Sequence, residues 1–274
     1  MTRKEFLENK YTRDFMEWFS KRLDSGFCHT YIQRRTKKEW NCDSIYNAYE
    51  KYIWNRCDFE RNNTYLEQLE YELRDSIENN NNNNCRNICL KILEWGNTLQ
   101  NNRNKINNTV DLIGALKIAQ NKLSENTIRD KSFYKDVYLN AGFSKIYSLC
   151  IDDYIIYDSR VGTALGYLVR EFCLEKKIGH IPSILRFAYA KGRNFNVHRN
   201  PSKGIYIFPL LRADNYIENN IKFNWLINEL LSSYPSSGFN QLPQSRQMRA
   251  LDAALFMIGY EIPLHGNNND TIYK

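Results

Sequence analysis

Apolar residues recurring every three or four positions, polar caps ahead of those runs and few strand signals predict a mainly α-helical fold for this chain of 274 residues. Only "GIYIFPL", at 204–210, has the composition of a short strand. Hydrophobic residues make up 42% of the sequence, which argues for a packed core and against a disordered chain. That length supports one large domain or two lobes around a substantial core.

Residues 3–24 place Phe6, Phe15, Trp18, Phe19 and Leu23 near helical spacing and stop at Ser25-Gly26. Residues 43–57 repeat the pattern with Ile45, Tyr49, Tyr52 and Ile53, behind Asp43 or Ser44 as N-cap. Over 63–78, Leu66, Leu69, Leu73 and Ile77 share one stripe, and the carboxylates beside it read as a solvated face. Six asparagines at 79–84 read as a flexible, low-complexity connection. A helix over 85–100 closes on Trp95-Gly96, a polar connection occupies 101–108, and 110–123 is helical again. Helices are then expected over 131–139, 144–151 and 159–177, with a short one from Ile181-Pro182. A basic, glycine-bearing loop spans 191–204, and helices over 214–234 and 245–262 finish the chain.

Lys and Arg number 38 against 31 Asp and Glu, so the net charge is +7. That excess fits a polyanionic partner without requiring one. Aromatics at 14% offer many flat faces for packing or for stacking on bases. The seven cysteines are odd in number and scattered, with no Cys-x-x-Cys pair, so neither a zinc site nor an iron–sulfur cluster is expected. This usage fits a reduced, cytoplasmic setting. The N-terminus carries no long apolar core and reads as lacking a signal peptide. No run of about 18 apolar residues exists, so no membrane span is expected.

The segment "GFSKIYSLCIDDYIIYDSRVGTAL", 142–165, departs from the surrounding pattern. Asn140-Ala141-Gly142-Phe143 is a turn between two helices, and amides at the start of the second helix suit a phosphate oxygen. Lys145 falls in that first turn, where a free amine would be a nucleophile. A lone lysine on a helix also reads as a surface charge. Asp158 precedes "SRVGTALGYLV", so it reads equally as an N-cap. Asp152 and Asp153 read as a solvated helix end.

The order of helix, glycine turn, lysine, apolar helix, aspartate and helix resembles the helix-hairpin-helix DNA glycosylase superfamily. There a hairpin of the form Leu-Pro-Gly-Val-Gly-x-Lys precedes a catalytic Asp at a helix start. Here "LNAGFSK" (139–145) stands in the hairpin position and "IYDSRV" (156–161) in the Asp position. The sequence is most similar to the bacterial 8-oxoguanine-glycosylase-like group, through Ser144-Lys145 and Ile156 to Leu165. "ILEWGN" (92–97) and "RALDAALFMIGYEI" (249–262) also look like parts of that group. The resemblance covers 139–176 most specifically and does not extend before residue 60. Ala141 replaces the hairpin proline and Ser144 its second glycine, and the interval from Lys145 to Asp158 is short for the eukaryotic 8-oxoguanine enzymes. Those departures bear on substrate more than on fold.

The resemblance implies a single helical unit over 1–274, with two lobes, a cleft between them, and the hairpin plus catalytic Asp over 131–177. It implies a glycosylase that flips a modified base from double-stranded DNA and breaks its bond to the sugar. Lys145 would be the nucleophile that forms a Schiff base, with an abasic-site lyase step able to follow. Asp158 would stabilise the sugar cation or activate the nucleophile. Gly142, Phe143 and Ser144 would face a phosphate at the hairpin. Arg160 would bind a phosphate or lock the Asp158 carboxylate. Arg193, His198, Arg199 and Lys203 on the 191–204 loop would line the DNA edge. Trp95, Phe256 and Met257 are candidates for the base pocket, or core residues. No cofactor is expected, apart from room for a structural monovalent cation at the hairpin, and no protein partner is implied. The substrate would be oxidised guanine or a modified or hypermodified phage base, the latter in anti-phage defence. A non-catalytic DNA-binding protein that retained the hairpin is the alternative, and an all-α interaction protein a third reading.

Overall fold

A computed structural model describes residues 1–34, 36–192, 197–234 and 237–263. The mainly α-helical expectation is met: these residues form twelve α-helices, one 3₁₀ turn and a single two-stranded sheet. None of the described helices is long and apolar enough to cross a membrane.

Local chemistry decides where each helix begins. Helix α1 (Arg3–Leu7) opens with a capping box between Thr2 and Glu5. Asn9 then adopts an extended backbone and caps Tyr11 N at 2.9 Å, starting α2 (Lys10–Ser20). The expected single helix over 3–24 is therefore two, because an asparagine in the middle competes for the backbone. Strands β1 (His29–Ile32) and β2 (Glu39–Cys42) pair antiparallel with His29 opposite Cys42. Their alternation of buried and exposed side chains is too short to stand out in sequence. No strand forms at 204–210. Gly204 turns there with φ of +55°, leaving isolated bridges between Lys203 and Tyr206 and between Tyr189 and Leu210.

Helix α3 (Ile45–Glu50) is shorter than expected. Asn55 and Arg56 take positive φ, and Trp54 and Cys57 exchange backbone bonds of 2.9 Å across the resulting turn. Helix α4 (Phe59–Glu78) ends where the asparagine tract begins. That tract is a tight joint: Asn80 takes φ of +52°, Asn81 caps Asn84 N at 3.0 Å, and the remaining three residues are the first turn of α5 (Asn82–Trp95). Asparagine suits both jobs, tolerating the left-handed region and accepting an amide bond. The expected connection at 101–108 is instead helical, α6 (Leu99–Asn108), because Asn102 and Ile106 give it a buried face. Helix α7 (Leu112–Leu123) follows the Asp111 cap on Gly114 N, 2.9 Å.

Residues 131–139 do not form the first helix of a hairpin. Asp130 Oδ1 draws the Ser132 and Phe133 amides into a turn, and successive short-range bonds carry the chain to Val137. Then come α8 (Phe143–Cys150), α9 (Ser159–Glu175), the 3₁₀ turn Ser183–Leu185, α10 (Tyr216–Ser233), α11 (Ser237–Asn240) and α12 (Gln244–Ile258).

Helices α4 to α8 pack on one another, and α2, α3, α9, α10 and α12 form a second packed group. The two share one apolar core. Gly259 sets how closely α12 meets α9, since a Cβ there would lie 1.8 Å from the Arg160 carbonyl oxygen.

One buried group makes this fold acid-sensitive. His29 is 2% exposed among the rings of Phe27, Tyr31, Trp40 and Tyr167, with Nε2 facing the carbonyls of Ile258 and Glu261 at 3.1 and 2.9 Å. Burial outweighs those carbonyls and lowers its pKa from 6.5 to about 4. Because the folded value lies below the unfolded one, stability is complete above pH 6.5 and declines as pH falls towards 4, by up to about 3 kcal/mol. Urea unfolding between pH 7 and 4 should show that decline, and His29→Gln should flatten it.

Candidate active site

The chain places Asp158 before it uses it. Tyr157 Oη donates to Ala188 O at 2.6 Å, Tyr216 Oη donates to Tyr157 O, and Ile155 N donates to Asn224 Oδ1 at 2.7 Å. This lashing fixes an otherwise irregular segment against α10. Asp158 follows with extended backbone, and its Oδ1 accepts from Arg160 N and Val161 N at 2.9 and 3.1 Å. It therefore caps α9 with one oxygen and leaves Oδ2 for another partner.

That partner is Lys145. Its Nζ lies 3.2 Å from Asp158 Oδ2 and 3.0 Å from Ala141 O. Lys145 is 5% exposed and Asp158 8%, so neither is a surface charge. Burial works to raise the Asp158 pKa, but the Lys145 ammonium, the Val161 amide and the Arg160 charge outweigh it and hold the carboxyl below its ordinary 3.8. Cap and ion pair are compatible because they use different oxygens.

The pair sits in the wall of a cavity of about 710 Å³, among residues of α4, α8 and α12. Trp95 and Phe256 line the same cavity, together with Tyr52, Trp54, Gly96 and Asp252. Trp95 is held by its Nε1 donating to Asn62 Oδ1 at 2.8 Å, and Trp54 meets Phe256 edge-on with ring centroids 5.0 Å apart. Gly96 makes room for the lysine: a Cβ there would lie 2.4 Å from Lys145 Cδ. Met257, the third expected pocket residue, is 2% exposed and faces a separate hollow with Tyr31, Arg160 and Tyr260. Consecutive residues on a helix point about 100° apart, so Phe256 and Met257 do not share a face.

The turn before α8 differs from a phosphate cradle. Gly142 N and Phe143 N both donate to Asn140 Oδ1, at 2.8 and 3.0 Å, Ser144 N donates to Asn140 O, and Lys145 N to Gly142 O. Gly142, Phe143 and Ser144 are buried, and a Cβ on Gly142 would meet Asn102 at 2.4 Å. Those amides are spent inside the protein, which corrects the expectation that they face DNA. The turn carbonyls of Asn140, Ala141 and Gly142 also accept internal bonds, so they do not fit a cation-binding ring.

Arg160 neither binds the Asp158 carboxylate with its side chain nor stands free. Its guanidinium lies over Phe256 at 4.0 Å, Tyr260 at 4.9 Å and Trp54 at 5.6 Å, and burial with Arg199 nearby lowers its pKa to about 10. Arg199 ties α9 to the segment after α12, with Nε to Tyr260 O and Nη1 to Ser159 Oγ, each 3.0 Å. His198 Nδ1 contacts Ile262 O at 3.0 Å. Both serve the fold rather than an outward DNA edge, whereas Lys203 is exposed. Arg193 lies outside the described residues. Sequence reading missed Asp252, whose signal was an acid one turn before Phe256 on an apolar stripe, and Asn140, which looked like a plain turn residue.

No family model, curated protein or solved structure matches this chain.

Removing one member of a buried pair strands the other, so Lys145→Met should cost about 3 kcal/mol in urea unfolding. Adding Asp158→Asn should recover more than about 1 kcal/mol of that loss, since asparagine still caps. The pair's contribution is complete above pH 3.8 and lost as pH falls through the depressed Asp158 value; in Lys145→Met the acid transition should move to higher pH.

Proposed function

We propose that this chain is a DNA glycosylase that excises a modified base. The observation that carries the reading is a buried Lys145–Asp158 contact in the wall of an aromatic-lined cavity. The likeness of 139–176 to the helix-hairpin-helix glycosylases supplies the reaction class. Trp95 and Phe256 offer faces for an everted base, and base flipping would bring C1′ of its sugar to the pair. As the base departs, positive charge grows on the sugar, and Asp158, fixed by two amides, faces it without reorganising. Lys145 attacks C1′ as a free amine, which requires its contact with Asp158 to open and its ammonium to give one proton to solvent first. Loss of the base gives a Schiff base, and elimination can then nick the strand. Substrates in view are oxidised guanine and the hypermodified bases of phage DNA, the latter placing the protein in anti-phage defence.

Borohydride reduces a Schiff base to a stable amine and so captures the intermediate. Incubation with oligonucleotides carrying 8-oxoguanine or a pre-formed abasic site should give a covalent complex that Lys145→Gln abolishes. Mass spectrometry of bases released from modified phage DNAs should identify the substrate, and Asp158→Asn should slow release by about 10²-fold or more. No trapping and no released base from any of these DNAs would leave a non-catalytic DNA binder.

Binding should weaken steeply between 50 and 200 mM salt, roughly 10³-fold for about six phosphate contacts. Fluorescence anisotropy with a duplex oligonucleotide measures this, and salt-independent binding would contradict a phosphate-tracking interface.

A further inference from the structure

One acid in the cavity has no assigned work. Asp252 lies on α12 one turn before Phe256, on the face that lines the cavity with Lys145, Ser148 and Asp158. Its Oδ1 is sealed from solvent and makes no hydrogen bond within the protein. Such an oxygen is costly unless it is neutral or finds a partner in something that enters. Burial, reinforced by the Asp158 charge, raises its pKa well above 3.8 against the opposing pull of Lys145 and Arg249. Two carboxylates in one cavity with their proton affinities driven apart is the arrangement that divides acid from base work.

Building on the glycosylase reading, we infer that Asp252 is a third catalytic residue, the general acid that protonates the departing base. The electron pair of the C1′–N bond leaves with the base, which takes the Asp252 proton and departs neutral. The Lys145 amine supplies the pair for the new bond at C1′. The resulting aminium returns one proton to the Asp252 carboxylate, so the acid is regenerated and charge balances. Asp158 keeps its electrostatic role, since its Oδ1 stays on two amides and its Oδ2, once it has released Lys145, faces the sugar as a carboxylate.

Expelling a base and trapping an existing abasic site differ in one requirement: only the first needs a proton for the leaving group. Single-turnover base release is measured on the DNA that yields free base from the wild type, beside borohydride trapping on a pre-formed abasic-site oligonucleotide. Asp252→Asn should cut base release by about 10²-fold or more and trapping far less. Asp252→Glu should recover part of the release, and thermal melting of both variants confirms folding. Wild-type release should fall as pH rises through the Asp252 transition, a limb absent in Asp252→Asn. Lys145, Asp158 and Tyr52 face Asp252 from other elements, Arg249 from its own, and Glu67, Glu70 and Arg74 line the same cavity. Attribution therefore rests on the limb's loss in this variant. Release unchanged in Asp252→Asn overturns the assignment, as does an equal fall in release and trapping in a folded variant, which would make Asp252 a support of the Lys145–Asp158 pair. Failure of the wild type to trap or release anything overturns the glycosylase reading itself, and this assignment with it.

Discussion

Asp158 makes the contact on which the arrangement of the cavity depends. One carboxylate starts the long helix α9 and holds the ammonium of Lys145, and it does both nearly free of water. Two charges removed from solvent persist only if each finds compensation. The lysine has a carboxylate and a backbone carbonyl; the aspartate has an ammonium and two amides. Several neighbours protect that balance. Gly96 stays out of the way of the lysine stem, Tyr157 and Tyr216 anchor the backbone ahead of the acid, and Asn140 satisfies the amides at the start of α8.

The same economy explains why the turn before α8 faces inward. A helix start that bound phosphate would need its amides free, and here a single asparagine side chain takes two of them. Consecutive turns stand where the first helix of a hairpin was expected. Under the glycosylase reading, the DNA backbone would be gripped elsewhere on the molecule.

Helical class was legible because burial repeats at the helical period, as in Leu66, Leu69 and Leu73 of α4 or Ile88 and Ile92 of α5. Boundaries were less so. Asparagine is ambiguous in sequence: Asn9 splits a helix, Asn80 takes a left-handed turn, and Asn82 continues a helix. Lys145 and Asp158 stood out because charged residues interrupt apolar sequence, yet their contact spans 13 positions and depends on tertiary packing. Arg199 looked like a ligand for phosphate since basic loops often are, but its donors close on a carbonyl and a hydroxyl of the same fold. Asp252 was overlooked because a single acid within an apolar helix looks like a tolerated exception until the missing partner of its oxygen is seen.

Gly259 has a mechanical consequence. Because the backbone of α9 at Arg160 presses where a side chain would be, α9 and α12 are in main-chain contact. Asp158, Asp252 and Phe256 consequently ride on one plate, whereas Lys145 rides on α8 with the opposite group of helices. The ion pair is then a clasp between the plates. Under the glycosylase reading, releasing Lys145 for attack and unfastening the two halves of the cavity become the same event.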